Sequence, residues 1–339
     1  MSAKVNDFIQ FAIFAAMEKT KKGTAIVIKH TGSHYLLSEL PKWDLFPVVI
    51  RGKLRLSGST TTNPIAVGDK VSYQVPLDDD GNIKGEGTIT EVFPRRNYII
   101  RKSTNLSRQS HIIAANIDMA FLIVTLGFPE TKWAFIDRFL LTCEVYKVPV
   151  TILLNKIDIY GDEYREMVNG FKKIYNEEAG YPIIEVSATK NINIDKVRDI
   201  CAEGDGSGVF LFSGVSGVGK SSLIKALDPL LSPKVGEISI SHLQGKHTTT
   251  FYEMHPLSSG GFIIDTPGIR GFGLVDLEAE EISKYFPEML AVMDNCKFMP
   301  CTHTHEPYCA VKEAVADGCI SEERYNSYLG MLEEETKYR

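Results

Sequence analysis

The sequence predicts a multidomain α/β protein. It should have an all-β N-terminal barrel, a central parallel sheet with helices on both faces, and a helical C-terminal unit organised by cysteines. Three observations carry this prediction. Short apolar strands separated by turn residues fill residues 23–100. From Ile117 onward, apolar runs of strand length alternate with stretches of helical periodicity. Four of the six cysteines, Cys296, Cys301, Cys309 and Cys319, crowd into one short stretch. At 339 residues the chain is too long for one small core and should divide into about two or three domains.

The barrel is read from strands at 24–28, 48–55 and 87–93, with a turn and strand around 64–71 and a turn at 78–82. About five strands at this spacing suit an OB-fold over residues 23–100. Arg51, Lys53, Arg55, Arg95, Arg96, Arg101 and Lys102 lie on or near its strand ends. They are either phosphate contacts or ordinary solvated charge. Residues 101–116 are polar and read as an irregular linker. Residues 1–22 form an extension whose apolar patch, 8–17, precedes its lysines, the reverse of a secretory signal. An amphipathic helix is expected there.

Strands are expected at 121–125, 150–154, 182–186, 209–212 and 261–264, and helices at 133–146, 163–178 and 194–201. Such alternation builds a parallel sheet covered on both faces, here over residues 117–275. Ligands of such sheets bind at the C-terminal ends of the strands.

The motifs fall at those ends. Gly214-Val215-Ser216-Gly217-Val218-Gly219-Lys220-Ser221-Ser222 fits the phosphate loop Gly-x-x-x-x-Gly-Lys-Ser, with a strand before it and a helical start after it. Its glycines let backbone N–H groups turn toward phosphate oxygens, and the helix N-terminus adds partial positive charge. Lys220 would reach the β- and γ-phosphates, and Ser221 would ligate Mg²⁺. Asn155-Lys156-Ile157-Asp158 resembles the guanine-specificity motif of GTPases. The Asp158 carboxylate can accept from guanine N1–H and the 2-amino group, whereas adenine would leave it unpaired. Asn155 would support the base edge, Lys156 would lie along the ring, and the Ser187–Ala188 backbone would donate to guanine O6. Downstream, Asp265-Thr266-Pro267-Gly268 ends a strand. There Asp265 would hold Mg²⁺ through a water and the Gly268 N–H would bind the γ-phosphate. Within Gly245-Lys246-His247-Thr248-Thr249-Thr250, Thr249, then Thr248, is favoured to complete the Mg²⁺ shell.

The guanine motifs precede the phosphate loop, the reverse of ordinary GTPases. The domain therefore reads as a circularly permuted P-loop GTPase. After it, Cys296, Cys301, His303 and Cys309 offer three thiolates and an imidazole, a set suited to one tetrahedral, structural Zn²⁺ in a helical zinc-binding domain over residues 276–339. His305 and Cys319 rank second as ligands.

Composition bounds the partners. The charged fraction of 24% and hydrophobic fraction of 44% suit a globular cytoplasmic protein without membrane contact. The net charge of −6 argues against nonspecific coating of nucleic acid. Residues 1–105 nevertheless carry 15 Lys and Arg against 10 Asp and Glu, so the first domain is locally basic.

Together these motifs make the chain resemble the ribosome small subunit-dependent GTPase A family over nearly its whole length. The resemblance implies a monomeric GTPase that acts late in 30S subunit assembly and converts GTP to GDP and phosphate. Its hydrolysis would be slow alone and stimulated by the subunit, with barrel and zinc domain against 16S rRNA. Many GTPases place a water-orienting glutamine after the Gly of Asp-x-x-Gly. Here Ile269 occupies that position and cannot hydrogen-bond a water. His247 is the candidate in its place, on its chemistry and by the same resemblance. The alternative reading is a nucleotide-switched rRNA-binding scaffold in which hydrolysis is secondary.

Overall fold

The computed structural model describes residues 19–50, 65–102, 110–231, 252–265 and 277–337. The extension helix expected within residues 1–22, and Arg51, Lys53 and Arg55, lie outside these except for residues 19–22, of which 20–22 belong to a barrel strand.

Five strands close the barrel: β1 (Thr20–Thr31), β2 (His34–Ser38), β3 (Phe46–Ile50), β4 (Lys70–Pro76) and β5 (Gly87–Val92), in the order β1-β2-β3-β5-β4. Alternation drives the closure. In β4, Val71, Tyr73 and Val75 face inward between more exposed neighbours, as the two-residue period of a strand requires. β2 had no separate signature in the sequence. It forms because Tyr35 and Leu37 fill the interior against Phe46 and Val48. Gly87 allows close strand approach, since a Cβ there would stand 2.3 Å from Val75 Cγ1.

The supposed linker is largely paired. β6 (Tyr98–Lys102) and β7 (Ser110–Ala115) form an antiparallel ribbon, correcting the irregular reading of residues 101–116 at its described positions. Ile99, Ile113, Ala114 and Ala115 are buried, and polar neighbours had hidden that periodicity. Asn116 donates from Nδ2 to Gly68 O at 2.9 Å. The Asn97 side chain donates to Ile117 O at 2.8 Å and accepts from Ile117 N at 2.7 Å. These bonds tie the barrel to the start of the next sheet.

That sheet contains β8 (Met119–Val124), β9 (Val150–Leu154), β10 (Ile183–Glu185), β11 (Val209–Ser213), β12 (Met254–Pro256) and β13 (Phe262–Asp265). Their order is β10-β9-β8-β11-β13-β12. Every neighbouring pair is parallel except β12–β13. The antiparallel edge departs from the all-parallel expectation, because three residues are too few to show a period. β9 and β11 are buried at every position, as strands covered on both faces must be. The covering helices are α1 (Trp133–Val145), α2 (Arg165–Lys172, continued by a π-helical stretch Lys173–Glu178), α3 (Ile194–Ala202) and α4 (Lys220–Leu227).

The C-terminal unit comprises a 3-10 helix (Ala279–Tyr285), α5 (Pro287–Met293), α6 (Ala310–Ala316) and α7 (Glu322–Lys337). Its core includes Ile282, Phe286, Met289, Cys296, Cys301, Cys309 and Tyr328, and Leu141 of α1 joins it. A buried ion-pair cluster fastens it to the sheet. Arg324 of α7, 2% exposed, donates to Glu288 Oε1 at 2.7 Å and Oε2 at 2.9 Å, and to Asp137 Oδ1 of α1 at 2.9 Å. Burial opposes the Arg324 charge, but Asp137 and Glu288 outweigh it and its pKa rises. Tyr175 donates to the same Asp137 oxygen at 2.7 Å. Tyr175→Phe keeps the ring and loses that bond to a buried carboxylate, so a stability loss of about 1.5–3 kcal/mol is expected in urea denaturation.

Candidate functional site

Four loops meet at one end of the sheet, following β8, β9, β10 and β11. The loop after β11 is Gly214 to Gly219, ending in Lys220 at the first turn of α4. Val218 is fully buried with Phe212, Leu223 and Ile224, so the loop is pinned by its own apolar residue. The motif required nothing of Val218, and only the packing shows this role. Gly214 lies against β8, where a Cβ would stand 2.7 Å from Ile123 O. Gly219 is left-handed, φ 94°, and a Cβ there would stand 2.5 Å from Asn155 Nδ2. Gly219→Ala is therefore both strained and obstructed. It should weaken GTP binding at least about ten-fold, equal to about 1.4 kcal/mol, in titration with a fluorescent GTP analogue.

The loop after β9 is bonded directly to this one. Asn155 Nδ2 donates to Val218 O at 2.7 Å, and Asn155 Oδ1 accepts from Ala188 N at 3.3 Å. Lys156, itself left-handed at φ 66°, donates from Nζ to Gly217 O at 2.8 Å and also to Phe128 O. Asp158 is exposed, with Ser187 Oγ donating to Oδ1 at 2.5 Å and Thr189 Oγ1 to Oδ2 at 3.0 Å. The Ser187 bond, helped by Thr189, holds the Asp158 carboxyl below its ordinary pKa. Ile157 packs half-buried against the main core. The candidate guanine residues thus share one hydrogen-bonded unit with the Gly217–Val218 part of the phosphate loop. Ser216, Ser221 and Ser222 stand at least partly open to solvent on it, and Val215 packs at its edge.

Two contributors had no sequence signature. Tyr160 OH donates to Asn155 O at 3.1 Å and accepts from Leu126 N at 2.8 Å, bracing the loops after β8 and β9. Pro129 lies against Gly217, where a Cβ would come within 3.2 Å of Pro129 Cδ. Both act through packing between strands remote in sequence. An open groove of about 790 Å³ continues from Ala188 and Ser222 between α3 and α4, past Asn191, Arg198 and Lys225.

The Asp265 backbone pairs in register with Phe212, which places this strand end beside the phosphate loop. His247, Thr248, Thr249, Gly268 and Ile269 lie outside the described residues.

The second candidate site is in the C-terminal unit. Ligand atoms of Cys296, Cys301, His303 and Cys309 all lie within 4.8 Å of one another, and all four residues are buried. Cys296 Sγ is 3.9 Å from Cys309 Sγ, and His303 Nδ1 is 3.6 Å and 3.4 Å from these sulfurs. Metal bonds of tetrahedral zinc proteins imply edges of about 3.8 Å between sulfurs and about 3.6 Å from sulfur to nitrogen. The cluster therefore fits a metal ion of that size. Burial, then the neighbouring Cys309 and Cys296, pushes the Cys301 thiol up to about 12, and burial pushes His303 down; a bound cation would convert the thiols to thiolates. His303 is left-handed, φ 54°, and its loop is held from α7: Tyr325 OH donates to His303 O at 2.5 Å and Tyr328 OH to Thr302 O at 2.6 Å. Glu306 accepts from Thr302 N at 2.8 Å and Thr304 N at 3.0 Å. His305 and Cys319 are exposed and stand outside the cluster. Cys319 lies in the turn between α6 and α7.

Comparison with known proteins agrees with this arrangement. The family model described as RsgA GTPase matches residues 92–275, more than half of the chain. A small ribosomal subunit biogenesis GTPase RsgA of Bacteroides fragilis is 50% identical over 316 residues, covering 93% of this chain and 98% of that protein. Its namesake in Flavobacterium psychrophilum is 48% identical over 310 residues, with 91% and 92% covered. Among solved structures, YjeQ from Thermotoga maritima superimposes with a TM-score of 0.72 at 30% identity, over 93% of this chain and 98% of that one. YloQ, described as a circularly permuted GTPase, superimposes with a TM-score of 0.67 at 25% identity, over 96% and 98%. With its guanine-type loop ahead of its phosphate loop and this likeness along nearly the whole sequence, the chain belongs to the RsgA family of circularly permuted GTPases.

Proposed function

We propose that this chain binds GTP across the loops after β9, β10 and β11 and hydrolyses it to GDP and phosphate late in maturation of the small ribosomal subunit, stimulated by that subunit. The observation that carries the reading is the bonding of Asn155 and Lys156 to the Val218 and Gly217 carbonyls, which joins a base-reading loop to a phosphate-reading loop. Asp158, oriented by Ser187 and Thr189, accepts from the guanine edge, and the Ala188 N–H, whose bond to Asn155 Oδ1 is long at 3.3 Å, is shared with guanine O6 when the base binds. The Gly217–Lys220 backbone and the Lys220 ammonium neutralise charge that develops on the phosphates. Mg²⁺ would supply further charge neutralisation; Ser221, Thr249 or Thr248, and Asp265 through a water are its proposed ligands. The Gly268 N–H meets the γ-phosphate. His247 orients the attacking water, a task Ile269 cannot perform.

The cluster of Cys296, Cys301, His303 and Cys309 holds Zn²⁺, a closed site whose role is structural. The barrel and this unit meet 16S rRNA, with Arg95 and Arg96 less available than the sequence suggested because they pair with Asp69 and Asp118. Among the described residues no helix is long and apolar enough to cross a membrane.

The test is GTP turnover by purified protein alone, with small subunits, and with large subunits, using ATP as the control nucleotide. Stimulation by small subunits with ATP inert is expected. GTP binding without stimulation would favour the switched scaffold. Under the proposal, His247→Ala keeps GTP binding and loses the stimulated rate.

A further inference from the structure

The barrel does more than stand beside the nucleotide-binding sheet, because it grips one particular hairpin of it. β1 carries a bulge between Val27 and Lys29. A bulge re-aims the side chain at the extra residue. Here Ile28 leaves the barrel interior and joins the buried core shared with Met254, Phe262 and Ile264 of the hairpin β12–β13. Next to it, Lys29 forms an antiparallel bridge to Glu253, just before β12. Its Nζ donates to Glu253 Oε2 at 2.6 Å, with the two side chains 31% and 29% exposed. Trp43, between β2 and β3, stacks on Phe262 of β13 at 5.4 Å between centroids and 24° between planes.

The place of the grip matters. Met254 pairs with Ile264, and Asp265 follows Ile264 at the site end of β13. Glu253 is therefore at the level of the strand end that carries Asp265. Along the chain it follows closely on Thr248, Thr249 and Thr250. One lysine of the barrel thus holds the backbone between two proposed magnesium-ligating segments.

We propose that Lys29 and Trp43 are positioning residues for GTP hydrolysis, acting through Glu253 and Phe262 on the hairpin that ends in Asp265. This rests on the subunit-stimulated reading above. A barrel bound to the subunit and a site loaded with GTP favour the same placement of this hairpin. Thermodynamic linkage then makes the effect reciprocal: GTP strengthens subunit binding by the factor by which the subunit strengthens GTP binding. The distribution of contacts supports this over simple adhesion between domains. The Asn97 and Asn116 bonds act at the starts of the sheet strands, whereas the Lys29 ion pair and the Trp43 ring stack both fall on the β12–β13 hairpin and its approach.

The test compares wild type, Lys29→Glu, Lys29→Arg and the exchange Lys29→Glu with Glu253→Lys, using the full-length protein and small subunits. Lys29→Glu places two carboxylates face to face at a half-exposed position. The subunit-stimulated kcat should fall about ten-fold, equal to about 1.4 kcal/mol, with KM for GTP within about two-fold. Lys29→Arg and the charge exchange should restore the stimulated rate to within about three-fold. In Lys29→Glu, the preference of the subunit for the protein bound to a non-hydrolysable GTP analogue over the GDP form should shrink by a similar factor. An equal fall with and without subunits would mark a merely structural pair and overturn the proposal, as would a stimulated rate unchanged in Lys29→Glu or failure of the exchange to restore it. An unstimulated wild type would overturn the functional reading as well, so the two failures are distinguishable.

Discussion

If Cys296, Cys301, His303 and Cys309 hold a metal ion, as proposed, its removal is expected to unfold the C-terminal unit. Three of these ligands are also core residues, packed with Phe286, Met289 and Tyr328. The chain joining them, between α5 and α6, has little regular structure. Its order depends on the ligands, on Glu306, and on the two tyrosine hydroxyls of α7. Structural zinc sites in small peptides contribute about 10–16 kcal/mol, comparable with the whole stability of a domain at about 5–15 kcal/mol. Loss of the ion should therefore raise amide exchange across residues 277–337 by several orders of magnitude. Unfolding would also withdraw Arg324 from Asp137, so α1 should lose protection next. The measurement is hydrogen exchange before and after chelation, with metal loss verified by elemental analysis. Unchanged exchange in the metal-free chain would show that the apolar cluster suffices. The site must release thiol protons on binding, up to about three, so metal affinity should rise steeply with pH below the thiol range.

Asp158→Asn is expected to weaken GTP binding by about a hundred- to a thousand-fold, equal to about 2.7–4 kcal/mol. The carboxylate offers two acceptors to the two donors on the guanine edge, and hydrogen bonds to a charged group are worth about 1.5–3 kcal/mol each. An amide keeps one acceptor and turns a donor toward the 2-amino group. The same amide matches xanthine, which presents N1–H beside a carbonyl. Xanthosine triphosphate should therefore gain affinity as GTP loses it, and competition between the two nucleotides checks both directions. A variant that retains GTP affinity would remove Asp158 from base recognition. The pH response has a definite sign. Bonding to Ser187, then Thr189, lowers the Asp158 pKa below 3.8, so the charged form is present above that value and is lost only as pH falls through the lowered one. Base selectivity should be flat between about pH 5 and 8, where an unperturbed carboxylate is already ionised.

The candidate loops stood out in the sequence because the chemistry proposed for them is local. A phosphate loop needs glycines, a lysine and a hydroxyl at fixed spacing, and the residues from Gly214 to Ser222 carry them in order. Asn155 to Asp158 and the cysteine cluster obey the same logic. The buried strands β8, β9 and β11 were equally plain, since a strand covered on both faces must be apolar throughout. Short elements escaped. β2 and β12 span five and three residues and owe their existence to partners. The β6–β7 ribbon was hidden because its burial depends on Gly68 and on two cores that meet only after folding.

Residue order alone thus pointed to the family and its permuted domain, to the loops proposed to read phosphate and base, and to the side chains that could gather round a metal. Tertiary structure decided how those pieces act on one another. It set Lys156 and Asn155 on the phosphate loop, aimed Tyr160 at both base and neighbouring strand loops, buried Arg324 between Asp137 and Glu288, and closed the barrel against β12 through Lys29. Spacing along a chain specifies the groups within one turn. A contact between residues more than two hundred positions apart, such as Lys29 and Glu253, depends on the packing of whole strands and has no local signature.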